Sequence, residues 1–161
     1  MVSCNPVVLV QAEDFDVTAE TQKLTAGRQD VGAVVSFTGL CRDEGGTLEA
    51  LELEHYPGMA EAEISRIAQQ ACERWPLTGL TVIHRFGKIP AGQNIVLVVA
   101  VSGHRRAAFE AADFLMDFLK TKAPFWKKEH FKTGQSDTWV AANQADDEDA
   151  ARWSISPVDS S

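Results

Sequence analysis

At the centre of this sequence stands IVLVVAV (residues 95–101), its longest apolar run. Because the run is apolar on both faces, it predicts a strand in the middle of a sheet. Seven residues are far too few to span a membrane. A long amphipathic helix is predicted to follow, from Arg105 to about Lys120. The residues expected on its buried face are Ala108, Ala111, Ala112, Leu115 and Leu119.

Further strands and helices are predicted on both sides of this pair. The strands are Val7–Val10, Val31–Thr38, Leu48–Tyr56, Leu80–Phe86, Phe125–Phe131 and Asp137–Ala141. The helices are Thr18–Ala26, a segment from about Ala60 to Trp75 that ends at Pro76, and an acidic helix over Asp146–Arg152. Strands and helices mix without strict βαβ alternation, so we predict an α+β fold rather than a doubly wound sheet. We expect one domain over residues 1–153 and a disordered tail over residues 154–161.

Positive charge is concentrated in one segment of an acidic chain. The 161 residues carry a formal net charge of −8, yet residues 85–132 hold nine of the 15 Lys and Arg side chains and four of the 23 acidic ones. The densest part is KTKAPFWKKE (residues 120–129), with four lysines and two aromatic rings around a proline. Such a cluster indicates a local anionic ligand rather than a general affinity for polyanions.

Several kinds of chemistry lack their sequence signature. The cysteines Cys4, Cys41 and Cys72 are odd in number and widely spaced, without a CxxC pair or a His-rich cluster. We therefore expect neither a disulfide framework nor a metal site. A P-loop, a GxSxG elbow and a dinucleotide-binding glycine motif are also missing, so no cofactor is expected. The N-terminus has no basic start followed by an apolar block, which favours the cytoplasm.

A candidate anion site lies where the central strand gives way to the long helix. Free N–H groups at a helix N-terminus attract anions, and His104 and Arg105 add side-chain donors. An equally good interpretation is a solvated arginine beside a capping or packing histidine. Lys120 stands at the other end of the helix, about 24 Å away at 1.5 Å per residue. To bring both groups to one site, the ligand must be long, the chain must fold back, or a second subunit must complete the site.

Other candidate residues are weaker on sequence alone. Arg42 stands in a glycine-rich loop after a predicted strand, a common place for functional residues. Its neighbour Cys41 is a candidate thiol, although a lone cysteine is more often unreactive. We interpret His55, His84 and His130 as structural.

Several blocks of the sequence together resemble the large, catalytic subunit of molybdopterin synthase. They are GAVVSFTG (32–39) with Arg42, LEHYPGM (53–59), RWPL (74–77), VIHRFG (82–87), His104-Arg105 with Ala108-Phe109-Glu110, Met116-Asp117, and LKTKAPFWKKE (119–129). These blocks run in the family's order from about residue 29 to residue 153. The second and the last block together are highly specific.

The resemblance implies a sulfur-transfer reaction. That family inserts two sulfurs into cyclic pyranopterin monophosphate to form the dithiolene of molybdopterin. The sulfur would arrive as a thiocarboxylate on the C-terminal glycine of a small ubiquitin-like partner subunit, whose tail threads into a pocket. The resemblance also implies an α/β-hammerhead fold and a homodimer of large subunits within a heterotetramer.

Carried over position by position, the resemblance implies Lys120 and Lys127 as the catalytic pair. The implied substrate-binding residues are Leu40, Cys41, Arg42, His104, Arg105, Lys128 and Glu129. At pH 7 only about one lysine in 2,500 is neutral when its pKa is about 10.4, so a role that needs a neutral lysine requires a lowered pKa. An ammonium that stabilises negative charge requires no change in pKa. We therefore expect Lys120 to polarise the partner's terminal carbonyl as an ammonium, with Lys127 as an electrostatic or general-acid partner near the pterin. Some relatives carry an arginine where this chain has Thr138, so a cross-subunit contribution from that segment stays open.

Two other functions remain open at this stage. A nucleic-acid-binding module would use the lysine and aromatic mixture of residues 120–132 to stack bases, although the net charge of −8 opposes it. A scaffold would bind a ubiquitin-like tail without performing chemistry.

Overall fold

A computed structural model describes residues 4–132, 138–139 and 151–154. The helices are α1 (Val17–Thr25), α2 (Met59–Arg74) and α3 (Arg105–Thr121), with a short 3-10 turn at Arg152–Ser154. The strands are β1 (Val7–Gln11), β2 (Ala33–Leu40), β3 (Leu48–Glu54), β4 (Leu77–Arg85), β5 (Gly87–Pro90), β6 (Asn94–Ser102), β7 (Trp126–Phe131) and β8 (Thr138–Trp139). No helix in these ranges is both long and apolar enough to cross a membrane.

The strands form two four-stranded sheets. The first has the order β1-β4-β6-β2, in which β1 runs parallel to β4 and the other pairs are antiparallel. The second has the order β5-β3-β7-β8 and is antiparallel throughout. This mixed arrangement confirms the predicted α+β class and excludes a doubly wound sheet.

The central strand β6 belongs to two cores at once. Val96, Val98 and Ala100 pack beneath α2 and α3, on one face of the first sheet. Leu97, Val99 and Val101 point to the opposite face, where residues of α1 cover them. Helices on both faces therefore explain why this strand is apolar throughout, as the sequence predicted.

The second sheet brings β7 back beside the end of α3. A tight turn does this, because the backbone N–H groups of Lys122 and Ala123 both donate to the carbonyl of Phe118. A small third core of Cys41, Leu53 and Ile89 holds the loop after β2 against β3 and β5. The ends of β2, α3 and β7 thereby meet at one place.

Some element boundaries differ from the prediction. Strand β5 was missed, because four residues ending in a proline give no clear periodicity. It follows β4 directly through Gly87, whose φ of 89° lies in the left-handed region that glycine tolerates. Strand β2 begins at Ala33 and extends to Leu40, where its register against β6 shifts.

The cysteine prediction needs a correction. Cys4 and Cys72, 68 residues apart in sequence, form a disulfide with their Cα atoms 5.7 Å apart. Spacing could not reveal this pair, because α2 packs against β1 only in the folded chain. Cys41 is free and buried.

The predictions near the C-terminus fall largely outside the described residues. Of the predicted strand Asp137–Ala141, only Thr138 and Trp139 are described, and they pair with Glu129 and Lys128. Of the predicted acidic helix Asp146–Arg152, residues 146–150 lie outside the described residues. Of the predicted tail 154–161, residues 155–161 lie outside them. Trp153 packs its ring against the rings of Trp75 and Phe114, with centroids 5.7 and 5.6 Å away.

Candidate active site

The largest concavity relevant to the predicted site is an open cleft of about 700 Å³. Its walls come from β2 and the following loop, the start of β3, the end of α3 and one face of β7. A smaller inner pocket of about 110 Å³ continues from it toward β4. Lys120 and Lys127 line both spaces, so the two predicted catalytic lysines come together.

Lys120 reaches the cleft because of its position on α3. The preceding residues Leu115, Phe118 and Leu119 are buried against the first sheet, which leaves the side chain of Lys120 at the solvent edge. It lies in the last helical turn, where a cation interacts favourably with the helix dipole. The helix thus presents an exposed ammonium at the mouth of the cleft.

Lys127 reaches the same cleft from the second sheet. It lies opposite Leu53 in the β3–β7 register and is half-buried. Alternation along β7 places Glu129 and Phe131 on the same face, and both line the cleft. Glu129 therefore lies in the same cleft as Lys120 and Lys127.

Lys128 lies on the other face of β7. It is directly opposite Glu52, and its Nζ is 5.9 Å from the ring centroid of Trp139. Lys128 lines neither the cleft nor the inner pocket. Within one chain, the structure does not bring Lys128 together with Lys120 and Lys127, the predicted catalytic pair.

The loop after β2 supplies the rim of the cleft. Leu40, Cys41 and Arg42 all line it. Both ends of the loop are fixed: the Cys41 N–H donates to the Gln93 carbonyl at 2.8 Å, and the Leu48 N–H donates to Oδ1 of Asp43 at 3.0 Å. That second bond holds the pKa of the Asp43 carboxyl below its usual value. The guanidinium of Arg42 is exposed and forms an ion pair with Glu44.

Cys41 contributes to the rim without offering a reactive thiol. It is 3 % exposed and packs against Leu53 and Ile89. Burial raises the pKa of its thiol, with Asp43 and Glu129 acting in the same direction. A buried, protonated thiol is a poor nucleophile, so Cys41 is a packing residue at the edge of the site.

His104 and Arg105 lie at the opposite end of α3 from Lys120. His104 is the N-cap residue, and its backbone N–H donates to Oγ of Ser102 at 3.1 Å. The side chains of His104 and Arg105 are exposed and line neither the cleft nor the inner pocket. The helix does not fold back, so in one chain these residues stay about 24 Å from Lys120.

His84 and Arg85, the last two residues of β4, were predicted without a functional role, and both are buried. His84 lies in the wall of the inner pocket, buried on the face of β4 that carries Leu80 and Val82. The only signal in the sequence was a polar residue at an apolar position of the strand. Arg85 belongs to the basic segment but is 8 % exposed, and its guanidinium donates to the carbonyls of Ala12 and Asn94. Arg85 therefore stabilises the fold rather than attracting a ligand.

The inner pocket places positive charge over an apolar base. The inner pocket combines the two ammonium groups with the side chains of Phe37, Leu40, Leu51, Leu53, Ile95, Met116 and Leu119. Within the described ranges, no group of three or more His, Cys, Asp or Glu side chains could hold a metal ion. This arrangement can orient an anion and stabilise developing negative charge.

Comparison with known proteins identifies the family. A family model described as "MoaE protein" matches residues 10–122. A protein of Mesorhizobium japonicum named molybdopterin synthase catalytic subunit is 68% identical over 151 residues, covering 94% of this chain and 95% of that protein. The Escherichia coli protein of the same name is 47% identical over 148 residues, covering 91% and 97%.

Solved structures agree with the sequence comparisons. The molybdopterin biosynthesis MoaE protein from Burkholderia ambifaria superimposes with a TM-score of 0.79 at 41% identity, covering 94% of this chain and 99% of that one. Molybdopterin synthase from Staphylococcus aureus gives a TM-score of 0.72 at 29% identity, covering 84% and 96%. Sequence and structure together show that this chain belongs to the MoaE protein family.

Proposed function

We propose that this chain is the catalytic subunit of a molybdopterin synthase. It transfers sulfur from the thiocarboxylated C-terminus of a small ubiquitin-like subunit to cyclic pyranopterin monophosphate. The observation that carries this proposal is the convergence of Lys120 and Lys127, from a helix end and a strand, on one open cleft. Membership of the MoaE protein family indicates the class of reaction, and the cleft is where we place the reacting groups.

The shape of the cleft suits an extended peptide tail. A cleft of about 700 Å³ that is open to solvent leaves room for a narrow, glycine-terminated segment. Apolar side chains such as Phe37, Leu51 and Ile95 would contact the tail. The two ammonium groups would attract the terminal thiocarboxylate.

The lysines act by electrostatics in this proposal. Lys120 polarises the terminal carbonyl of the partner and stabilises the negative charge that develops on it. Lys127, deeper in the site, stabilises charge or delivers a proton near the pterin. The sulfur arrives with the partner, so no cysteine of this chain needs to carry it. This agrees with the burial of Cys41.

The substrate phosphate would be bound by Arg42, His104 and Arg105. Arg42 and Lys120 line the cleft, whereas His104 and Arg105 lie about 24 Å from Lys120 along α3. One chain therefore cannot bring His104 and Arg105 to a phosphate in its own cleft. We therefore propose a homodimer in which a second copy brings its His104 and Arg105 to the cleft. With one small subunit on each side, the assembly is a heterotetramer.

Nucleic-acid binding is disfavoured by the placement of the lysines. Lys127 faces the cleft and Lys128 faces the opposite side of β7, so these residues do not form one basic, aromatic surface on which bases could stack.

We also propose a cytoplasmic location, because the relatives of this chain are named as subunits of a biosynthetic synthase.

Reconstitution tests the proposed function. The chain is mixed with a thiocarboxylated small subunit and cyclic pyranopterin monophosphate, and molybdopterin is measured beside a Lys120→Ala variant. Product from the native chain and a large loss in the variant support the proposal. Absence of product, with the partner still bound, favours the scaffold function. Full activity of Lys120→Ala would remove Lys120 from the catalytic pair.

A further inference from the structure

His84 is a buried histidine that the proposed mechanism does not use. The side chains before it on the same face of β4, Leu80 and Val82, are fully buried beneath the helices. The His84 ring is 5 % exposed and stacks on Phe125, with centroids 4.0 Å apart and planes inclined by 14°. An apolar side chain would fill this position without the cost of burying a polar ring.

The hydrogen bonding of His84 fixes its tautomer. Nδ1 lies 2.8 Å from the carbonyl oxygen of Arg85. Because a carbonyl only accepts, Nδ1 carries the proton and a neutral ring keeps its lone pair on Nε2. Among the described residues, no buried side-chain nitrogen or oxygen lacks a hydrogen-bond partner. Nε2 therefore reaches open space, and the open space that His84 lines is the inner pocket with Lys120 and Lys127.

The surroundings of His84 keep its ring uncharged. Burial lowers its pKa to about 4, and the Lys127 ammonium and His55 also lower it. The hydrogen bond to the Arg85 carbonyl has the opposite effect on this pKa. The titratable groups around it are Lys127 on β7, Lys120 at the end of α3 and His55 after β3. At neutral pH the inner pocket thus contains a neutral acceptor beside two cations.

We propose that Nε2 of His84 accepts a hydrogen bond from the Lys127 ammonium and so positions this lysine for sulfur transfer. The inference rests on the proposed function, which it deepens. A carboxylate in this place would cancel the positive charge that anionic substrates need, and an imidazolium would repel the lysine. A neutral imidazole orients the ammonium while leaving its charge intact. His84 is therefore a positioning residue that acts through Lys127.

Nitrogen NMR of the His84 ring in the full chain tests this contact without an activity assay. At pH 7 we expect a neutral ring protonated on Nδ1. Lys127→Met should shift the Nε2 resonance and raise the pKa of His84, because it removes a cation that lowers this pKa. Lys120→Met, which alters the same pocket, is the matched control and should have the smaller effect. An unchanged Nε2 resonance and pKa in Lys127→Met would overturn the proposal.

Kinetics with two substitutions of His84 test the positioning role. Leucine removes the acceptor at similar volume, whereas the glutamine oxygen can replace Nε2. We expect His84→Leu to lower kcat about 10- to 100-fold with little change in KM, as for the loss of a hydrogen bond to a charged group. His84→Gln should stay within about threefold of the native chain. His55→Leu also alters a contact of Phe125 but lies outside the inner pocket, so it should be nearly neutral.

A double substitution separates positioning from general damage. If His84 acts through Lys127, then adding His84→Leu to Lys127→Met costs no further activity. Additive losses, or a folded His84→Leu variant with native kcat, contradict the proposal. If the native chain forms no molybdopterin at all, the proposed function fails, while the NMR experiment still decides whether His84 contacts Lys127.

Discussion

Lys127 and Lys128 are adjacent in the chain, yet their side chains lie on opposite faces of β7. Lys127 lines the cleft with Lys120, whereas Lys128 lies opposite Glu52 and beside the ring of Trp139. Successive residues of a strand alternate in this way, so one strand cannot present both ammonium groups to a substrate in the same cleft.

This relationship predicts unequal effects of two neighbouring substitutions. Lys127→Ala should lower kcat/KM for molybdopterin formation by at least about 100-fold, because in the proposed mechanism its charge stabilises the transition state. Lys128→Ala should cost less than about tenfold, because its side chain lies on the face of β7 that does not line the cleft. The two variants are matched in chemistry and position. Equal losses would mean that Lys128 reaches a site by another route, such as a second copy of the chain.

The ion pair between Arg42 and Glu44 predicts competition with the substrate. Both side chains are exposed, at 78 % and 72 %, so solvent screens the pair and a phosphate can displace Glu44. Glu44→Gln should lower KM for the pterin precursor by up to about threefold without changing kcat, and added salt should weaken the effect. Glu63→Gln, which removes the exposed pair with Arg66 on α2, is the control. An unchanged KM in Glu44→Gln would show that Arg42 is not engaged in substrate binding.

Cys41 should be chemically inert despite its place at the rim. Because burial raises the pKa of its thiol, iodoacetamide at neutral pH should leave Cys41 unmodified in the native chain, and unfolding should expose it. Mass spectrometry of labelled peptides measures this directly. Cys41→Ala should keep activity within about threefold, since alanine preserves a small apolar side chain. Rapid labelling together with loss of activity would instead indicate a sulfur-carrying thiol.

The buried His84 predicts a specific dependence of stability on pH. Its pKa of about 4 in the folded chain is lower than the value of about 6.5 expected after unfolding, so the unfolded chain binds more protons between these values. Stability is therefore lost as pH falls from about 6.5 toward 4, by up to about 3 kcal/mol in total. Urea unfolding of the native chain and of His84→Leu across this window measures the contribution. The free-energy difference between them should change with pH below about 6.5 and stay constant above about 7.5; a constant difference throughout would contradict it.

Sequence patterns predicted the parts of the fold in which local periodicity and burial agree. Strand β6, helix α2 and helix α3 were predicted within a few residues, because each has a long apolar face that the core covers. Strand β5 and the Cys4–Cys72 disulfide were missed. Both depend on which segments pack together, and neither leaves a periodic signal in the chain.

The candidate site was predictable to a similar degree. Family resemblance indicated Lys120, Lys127 and the Arg42 loop, and the fold brings them to one cleft. Alternation required one of Lys127 and Lys128 to face inward, but only the register of β7 against β3 determines which one. His84 was interpreted as structural, because a single polar residue in an apolar strand most often is. Only the tertiary fold brings it to the same inner pocket as Lys127.

A site shared between two copies of the chain predicts complementation between inactive variants. His104 caps the 17-residue helix α3, Arg105 begins it and Lys120 lies near its end, so one chain cannot bring all three to the same cleft. Lys120→Ala and His104→Ala should each be strongly impaired alone. In a co-expressed mixture, half of the dimers contain one copy of each variant, and each such dimer has one intact site. Activity should then return to about a quarter of the native value.

The matched control for this experiment is a mixture of Lys120→Ala with Lys127→Ala. Both lysines line the cleft of the same chain, so no arrangement of these two variants creates an intact site and activity should stay low. Molybdopterin formation is measured for both mixtures at equal total protein. Recovery only in the first mixture means that His104 serves the cleft of the partner copy. No recovery in either mixture would contradict a site shared between two copies, because a residue that acts only within its own chain cannot be supplied by a second one.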